Sequence, residues 1–578
     1  QSINDFINGK SFDSTILHRY YVHELTNSKS DRFLCEELIN IRNDKDIERY
    51  GEYRIPFNGN ISVLQARIYY RDGKSISSNK VTEVNANSYI SFDGVTKDCL
   101  IHISYEIDGY RSVLGKSDLI ESGTIFVNDY DEEVSDVEVV IAHPSSLKMK
   151  IHHSQNLLEE NEKQNDMLIC RLRSKILQSV EHEANAPDDR DLLSWYSLSS
   201  ILNYNDLVSW FNGVNLGKMA TVKEYHVPNK SRMEKIRRTY SEVNKIIVQK
   251  DRREENVRYI DDVLFFGSGT VTEKTLIAKA LLLKNGIQSY LSLVANRSDN
   301  VAPQEITFEK YESALLYIPG MGEETDMWLD FSDPHLPCGS IRSDLEKGDA
   351  IVITDDGAFT RKAYSQILAA ETTDLRISAE RDKTIFELST SFAGESATIG
   401  KYFSDDINKM KYALAVIDQY FTDSDLTRIE TKQSEDGTFH LSISGEMRNI
   451  IVESPQSVFI SPFLKGNKLL NYSTDISRQS SLVIREGDIV SEKYTYVLPD
   501  SVSHEEMLFS KSMSFEGITV SYALNKKSGS RELTVNRKMV ISPVAIDVSK
   551  YGEFLKFVSD CNKIDAMKVT LKKSVKKE

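Results

Sequence analysis

The stretch that decides the fold runs from Phe266 to Val294, FGSGTVTEKTLIAKALLLKNGIQSYLSLV. It reads as a loop, a helix and a strand in quick succession. Gly267 and Gly269 loosen the backbone, and Thr270 stands three residues before Glu273, the spacing of a capping box. Leu276, Ile277, Ala280, Leu281 and Leu283 recur at helical spacing. Asn285-Gly286 is a stop signal, because glycine readily takes the left-handed conformation that ends a helix. Ile287, Tyr290, Leu291 and Leu293 then open a strand.

A glycine loop, a buried helix and a following strand are where papain-like and transglutaminase-like folds keep their nucleophile. There a helix N-terminus and a nearby imidazole hold a cysteine as thiolate. The segment resembles the bacterial transglutaminase-like family, whose motif runs Gly-Asp-Cys-Lys-Asp-Lys, an apolar helix, then Gly-Ile. Counting back from Gly286-Ile287 aligns Lys274 with the second lysine and Glu273 with the second aspartate. Thr272, Val271 and Thr270 then fall on the first Lys, the Cys and the first Asp. The family's histidine follows as Asn-His on the next strand, and its aspartate as Trp-Leu-Asp on the one after. Here those places read Tyr311-Glu312-Ser313-Ala314-Leu315-Leu316-Tyr317 and Trp328-Leu329-Asp330. By this register Ser313 replaces the histidine and only Asp330 survives. An isopropyl group cannot attack a carbonyl, and a serine hydroxyl is no general base at neutral pH.

The whole chain sets the frame. At 578 residues it is too long for one core. A net charge of −16 argues against a nucleic-acid partner, whose phosphates demand clustered Lys and Arg. No apolar run is long enough for a transmembrane helix. The sequence opens at Gln1, not Met, so a leader removed before Gln1 is expected. Cys35, Cys99, Cys170, Cys338 and Cys561 stand far apart without a CxxC, which leaves no zinc or thioredoxin motif. Cys99 and Cys170 read as buried thiols.

Period-two alternation from about Ser14 to Ile151, with turns at Asp72-Gly73 and Asp108-Gly109, predicts an antiparallel β-sandwich. Residues 156–165 read as a polar hairpin tip, and the acidic run Asp129 to Asp136 as a solvated turn lacking the glycine and spacing of a calcium loop. Trp195 and Trp210 match a phrase that in the family packs the β domain on the core. Ser231 and Glu234 cap a helix to about Lys250, with Arg232, Lys235, Arg237 and Arg238 on its solvated face. A helical linker over about 361–370 leads to further strands, a helix from about Ile407 to Phe421, and a basic tail from Lys568 to Lys577.

The expected architecture is therefore α+β and multidomain. It has an N-terminal antiparallel β-sandwich (1–165), a connecting segment (166–225), a papain/transglutaminase-like α/β core (226–356), and a linker helix with a C-terminal β-sandwich (357–578). The vestigial triad is Val271, Ser313 and Asp330, and a candidate cleft is lined by Ser268, Thr270, Thr272, Tyr311, Trp328 and Asp330. One route keeps chemistry: Cys338 as thiol nucleophile, with His335 beside it and Asp330 behind. Gly267-Ser268-Gly269 is no nucleophile elbow, and no HExxH exists. His152-His153 and His182 with Glu181 and Glu183 do not converge on one ion, since adjacent strand residues face opposite ways. No metal and no cofactor is expected. The resemblance implies a periplasmic or envelope-associated bacterial protein without catalytic activity, binding a protein, peptide or glycan. A regulatory partner subunit of an active homologue is the further alternative.

Overall fold

The computed structural model describes residues 2–26, 31–55, 60–78, 81–84, 87–109, 120–215, 227, 230–249, 257–295, 306, 310–311, 313–322, 325–343, 345, 349–364, 369–379, 383–403, 406–447, 450–499, 502 and 506–573. The chain is multidomain and mostly β, with several sheets. It divides into two compact units. The first comprises Gln1–His182, Asp188–Val214 and Asp299–Lys310; the second comprises Glu183–Pro187, Asn215–Ser298 and Tyr311–Glu578.

The first unit is built on an eight-stranded sheet. Its order is Leu158–Gln164, Met167–Leu177, Val134–Pro144, Ile16–Glu24, Arg32–Ile41, Cys99–Asp108, Asn60–Tyr70, Ser75–Ser77. Alternate residues such as Phe33, Cys35, Ile103, Tyr105 and Val139 pack in one core with Tyr53, Ile90, Ile125 and Tyr196 from two smaller sheets. Pure antiparallel pairing fails at one place: Ile16–Glu24 runs parallel to Val134–Pro144. A long intervening excursion of chain permits that pairing, and alternation alone does not reveal strand direction.

Two local expectations are corrected here. Leu158–Gln164 is a paired edge strand and not a hairpin tip. Every residue in it is exposed, so neither face imprints a hydrophobic alternation, and its charges blunt an open sheet edge. The acidic run is not uniformly solvated either. Glu132 is buried, and Arg19 lies between it and buried Glu37, with ion-pair distances of 2.8 and 2.9 Å. Burial pushes the Glu132 carboxyl up, yet Arg19, Tyr50 and Arg49 together hold it below its ordinary value.

In the second unit, helices α1 (Arg232–Val243), α2 (Ile260–Phe266) and α3 (Val271–Lys284) pack beside a five-stranded sheet. Its strands are β1 (Tyr290–Val294), β2 (Ser313–Ile318), β3 (Met327–Leu329), β4 (Asp349–Ile353) and β5 (Phe359–Ala363), in the order β3-β2-β1-β4-β5, antiparallel throughout. Helix α3 is buried on nearly every side from Val271 to Ala278, although Thr272, Glu273, Lys274 and Thr275 are polar. The helical linker expected over 361–370 is absent at its described ends, where β5 closes the smaller sheet and Ala369–Ala379 enters the next one; residues 365–368 lie outside the described residues.

That next sheet also has eight strands: Ser424–Gln433, Phe439–Met447, Thr384–Ala393, Ala369–Ala379, Asp488–Val497, Glu532–Ile541, Ile518–Lys526, Met507–Phe515. Again one internal pair, Ala369–Ala379 with Asp488–Val497, is parallel. The start of the basic tail is a strand: Val569 and Leu571 are buried, and Val569–Lys572 pairs with Ser457–Ile460. Thr570 and Lys572 on the alternate positions, with Lys568 and Lys573 flanking them, mask that pattern in the sequence. The tail beyond Lys573 lies outside the described residues.

The turn at Asp436-Gly437 presses on the loop that carries Cys338. Gly437 has φ +88°, and a Cβ there would stand 2.4 Å from Pro337 Cβ. Gly529 has a similar φ of +77° but faces open space. Gly437→Ala is therefore expected to lower unfolding stability by about 3 kcal/mol, and Gly529→Ala by about 1, because only the first adds overlap to left-handed strain. Urea unfolding of both variants checks this; equal losses would contradict the packing.

Candidate functional site

Helix α2 ends at Gly267, which takes φ 63° and returns its N–H to Val263 O. Ser268-Gly269 then pairs in parallel with Ile247-Val248. The loop is drawn tight at Gly269, where a Cβ would lie 2.8 Å from Val263 Cγ1 and 3.0 Å from Glu273 Oε2. Thr270 caps α3 as expected. The Glu273 N–H donates to Thr270 Oγ1 at 3.2 Å, and the Thr270 N–H donates to Glu273 Oε2 at 3.0 Å. The buried Glu273 carboxylate also takes the Arg258 backbone N–H at 2.6 Å and its guanidinium at 3.1 and 3.2 Å. The capping box thus satisfies two backbone N–H groups at this helix start and sets a carboxylate at its positive pole.

Val271 is 8% exposed and packs in the apolar cluster that holds Ile260, Val263, Ile277, Leu316 and Phe331. Leu316 and Ile318 of β2 share that cluster, whereas Leu315 and Tyr317 pack on the opposite face with Trp328, Val352 and Tyr364. Strand alternation places Ser313 with Leu315 and Tyr317, away from α3. The expected pairing of Ser313 with position 271 is therefore not formed. A side chain of β2 reaching the start of α3 needs the parity of Ala314. Ser313 Oγ instead accepts from Arg342 Nη2 at 2.6 Å.

Asp330 is fully buried and serves the same arginine. Its Oδ1 accepts from the Ser332 N–H at 2.9 Å, and its Oδ2 accepts from the Arg342 N–H at 3.2 Å, with Arg342 Nε 3.8 Å away. One guanidinium spans Asp330 and Ser313, and Tyr240 Oη donates to Asp330 O at 2.8 Å. This is a brace between β2, β3 and the loop at Arg342.

The expected cleft closes up in a similar way. Thr270, Thr272, Tyr311 and Trp328 are all buried, and among the expected lining residues Ser268 alone keeps partial exposure. Trp328 belongs to the far face of the sheet, its ring 4.8 Å from that of Tyr317 and 5.7 Å from that of Tyr364. Glu312 lies outside the described residues.

The alternative thiol site does not assemble. Burial pushes the Cys338 thiol up to about 12, opposed by Arg237. His335 is exposed, and among the described residues its ring makes no hydrogen bond to Cys338 or Asp330. Among these residues no group of three or more His, Cys, Asp or Glu side chains is arranged to hold a metal ion.

Sequence reasoning missed two residues that matter here. Nothing in the local pattern marks Arg342. Lys274 is named in the sequence only by its alignment with the family's second lysine, and its polar neighbours Thr272, Glu273 and Thr275 hide its burial. It is 0% exposed, and among the described residues its Nζ has no hydrogen-bond partner. Burial pushes the amine down to about 8, with Asp330 and Asp333 opposing the shift.

No protein-family model matches this chain, and no curated protein matches it significantly. Solved structures do. A proposed protease from Parabacteroides distasonis aligns over 96% of this chain and 99% of its own, with a TM-score of 0.64 and 12% identity. At that identity the likeness shows a shared fold alone. An M1 zinc metallopeptidase from Deinococcus radiodurans aligns over 34% of this chain and 45% of its own, with a TM-score of 0.20 and 11% identity. A likeness that slight carries no argument.

A charged Lys274 is costly in such a site, so Lys274→Met is expected to stabilise the fold by about 1–3 kcal/mol at pH 7. Its folded pKa lies below the unfolded value of about 10.4. The penalty is therefore full below about pH 8 and vanishes as pH rises past the unfolded value. The difference between wild type and variant in urea unfolding should shrink over that window. A difference that stays constant or grows with pH contradicts the assignment.

Proposed function

We propose that the segment around α1, α3 and the five-stranded sheet is a degenerate transglutaminase-like core, and that the chain is a non-catalytic binding or assembly protein of a bacterial cell envelope, most naturally periplasmic. The observation that carries this reading is the use made of the α3 N-terminus. In an active relative that pole would hold a thiolate. Here Thr270 and Glu273 occupy it, and Val271 is given over to packing.

Further support comes from the Arg342 brace, which commits Asp330 to structure and leaves it no imidazole to orient. A fold shared nearly end to end with a bacterial protein proposed to be a protease fits a scaffold that in other hands carries peptide chemistry. Fold and activity part company readily, because catalysis resides in a few side chains. A thiol enzyme acting through Cys338 is disfavoured because the sulfur is half-buried with its thiol pushed up, and because His335 is exposed and, among the described residues, not bonded to it.

Iodoacetamide separates the readings. At pH 8 Cys338 is expected to alkylate at least about tenfold more slowly in the folded chain than in urea, because only the thiolate reacts. Site-resolved mass spectrometry reads the rate. Faster alkylation in the folded chain would mean an activated sulfur, and the silent-site reading would fail.

A further inference from the structure

The first unit carries a concavity that no part of the degenerate-core reading uses. Its volume is about 360 Å³, within the range of small-ligand sites. The floor is Arg19 with Glu37 and Glu132. Aromatic walls come from Tyr50, Tyr53 and Phe126.

The floor decides the sign of the ligand. Arg19 spends its donors internally: Nε on Glu37 Oε1 at 2.9 Å, Nη1 on Val127 O and Glu132 Oε2 at 2.8 Å each, Nη2 on Glu37 Oε2 at 3.2 Å and Glu132 Oε1 at 3.3 Å. A guanidinium has five N–H groups, so none remains for an incoming anion. Two buried carboxylates against one buried guanidinium leave an excess negative charge beneath the cavity. Tyr21 and Tyr50 donate to those carboxylates and add no positive charge.

The rim repeats the imbalance. Glu52, Asp129 and Asp189 face Arg49 and Arg54, so lining carboxylates outnumber guanidiniums five to three. Arg49 is already held by Asp129 at 2.5 Å and by Tyr130 O at 2.8 Å. A low-dielectric wall concentrates such a field, and aromatic faces favour a cation over a neutral group of equal size.

We propose that this pocket binds an organic cation of lysine size, a primary amine presented either by a peptide or by a free diamine. The ammonium sits toward the Glu52 and Asp189 carboxylates, with its alkyl stem along Tyr53 and Phe126. The pocket's lining residues all belong to the first unit. Its failure would leave the silent core untouched, and its success would give the chain a ligand without any chemistry.

Calorimetry on the full chain tests it with three probes: 1,5-diaminopentane, a lysine-containing tripeptide blocked at both ends, and the same tripeptide acetylated on Nε. Saturable binding of an amine probe is expected, weakening with added salt and at least about tenfold weaker for the acetylated peptide. Glu52 and Asp189 are exposed, so the Glu52→Gln/Asp189→Asn double variant should fold normally, as thermal unfolding can verify, and should lose at least about tenfold in affinity. Diamine binding alone, or peptide binding alone, identifies the source of the amine. No binding of either amine up to about 10 mM, equal binding of the acetylated peptide, or full affinity in the folded double variant would overturn the assignment.

Discussion

The second unit depends on how the start of α3 is satisfied. A helix N-terminus leaves backbone donors and a positive pole that burial would make costly. This chain answers them with Thr270, Glu273 and Arg258, in a capping box tied to a buried ion pair. Once that is in place, the first residue of the helix has no electrostatic duty and can be a valine in an apolar cluster. The five-stranded sheet then packs on the helix through Leu316, Ile318 and Leu329, and the loop after β3 folds back through Asp330 and Arg342.

The same device appears twice more at larger scale. In the first unit Arg19 is buried between Glu37 and Glu132; in the second Arg537 is held by Glu492 and Asp565. Each sits on an eight-stranded sheet that contains one parallel pair. Buried pairs of this kind add little net stability over apolar packing, but removing one member leaves an uncompensated charge and is severe.

Much of this was legible in the sequence, for physical reasons that differ by residue. Thr270 with Glu273 and Ser231 with Glu234 are spacings that satisfy backbone donors locally, and both form the capping boxes expected. Asp72-Gly73 and Asp436-Gly437 are turns set by local backbone preference, and both lie between paired strands. What escaped was set by distant partners. Glu132 looks like one acid in an exposed run until Arg19 reaches it. Strand Leu158–Gln164 has no buried face to betray it. Ser313 and Trp328 were read from spacing along the chain, yet their faces are decided by where α3 lands on the sheet. Arg342 becomes visible only when Ser313 and Asp330 are seen to share it.

Turnover is the most direct measurement of whether the proposed degenerate core is silent. Purified protein and its Cys338→Ala variant should be incubated with a diverse peptide library and an amine donor, with cleavage and amide formation followed by mass spectrometry. A silent core requires no product above the buffer blank from either protein. Product formed by the wild type and abolished in the Cys338→Ala variant would contradict it outright.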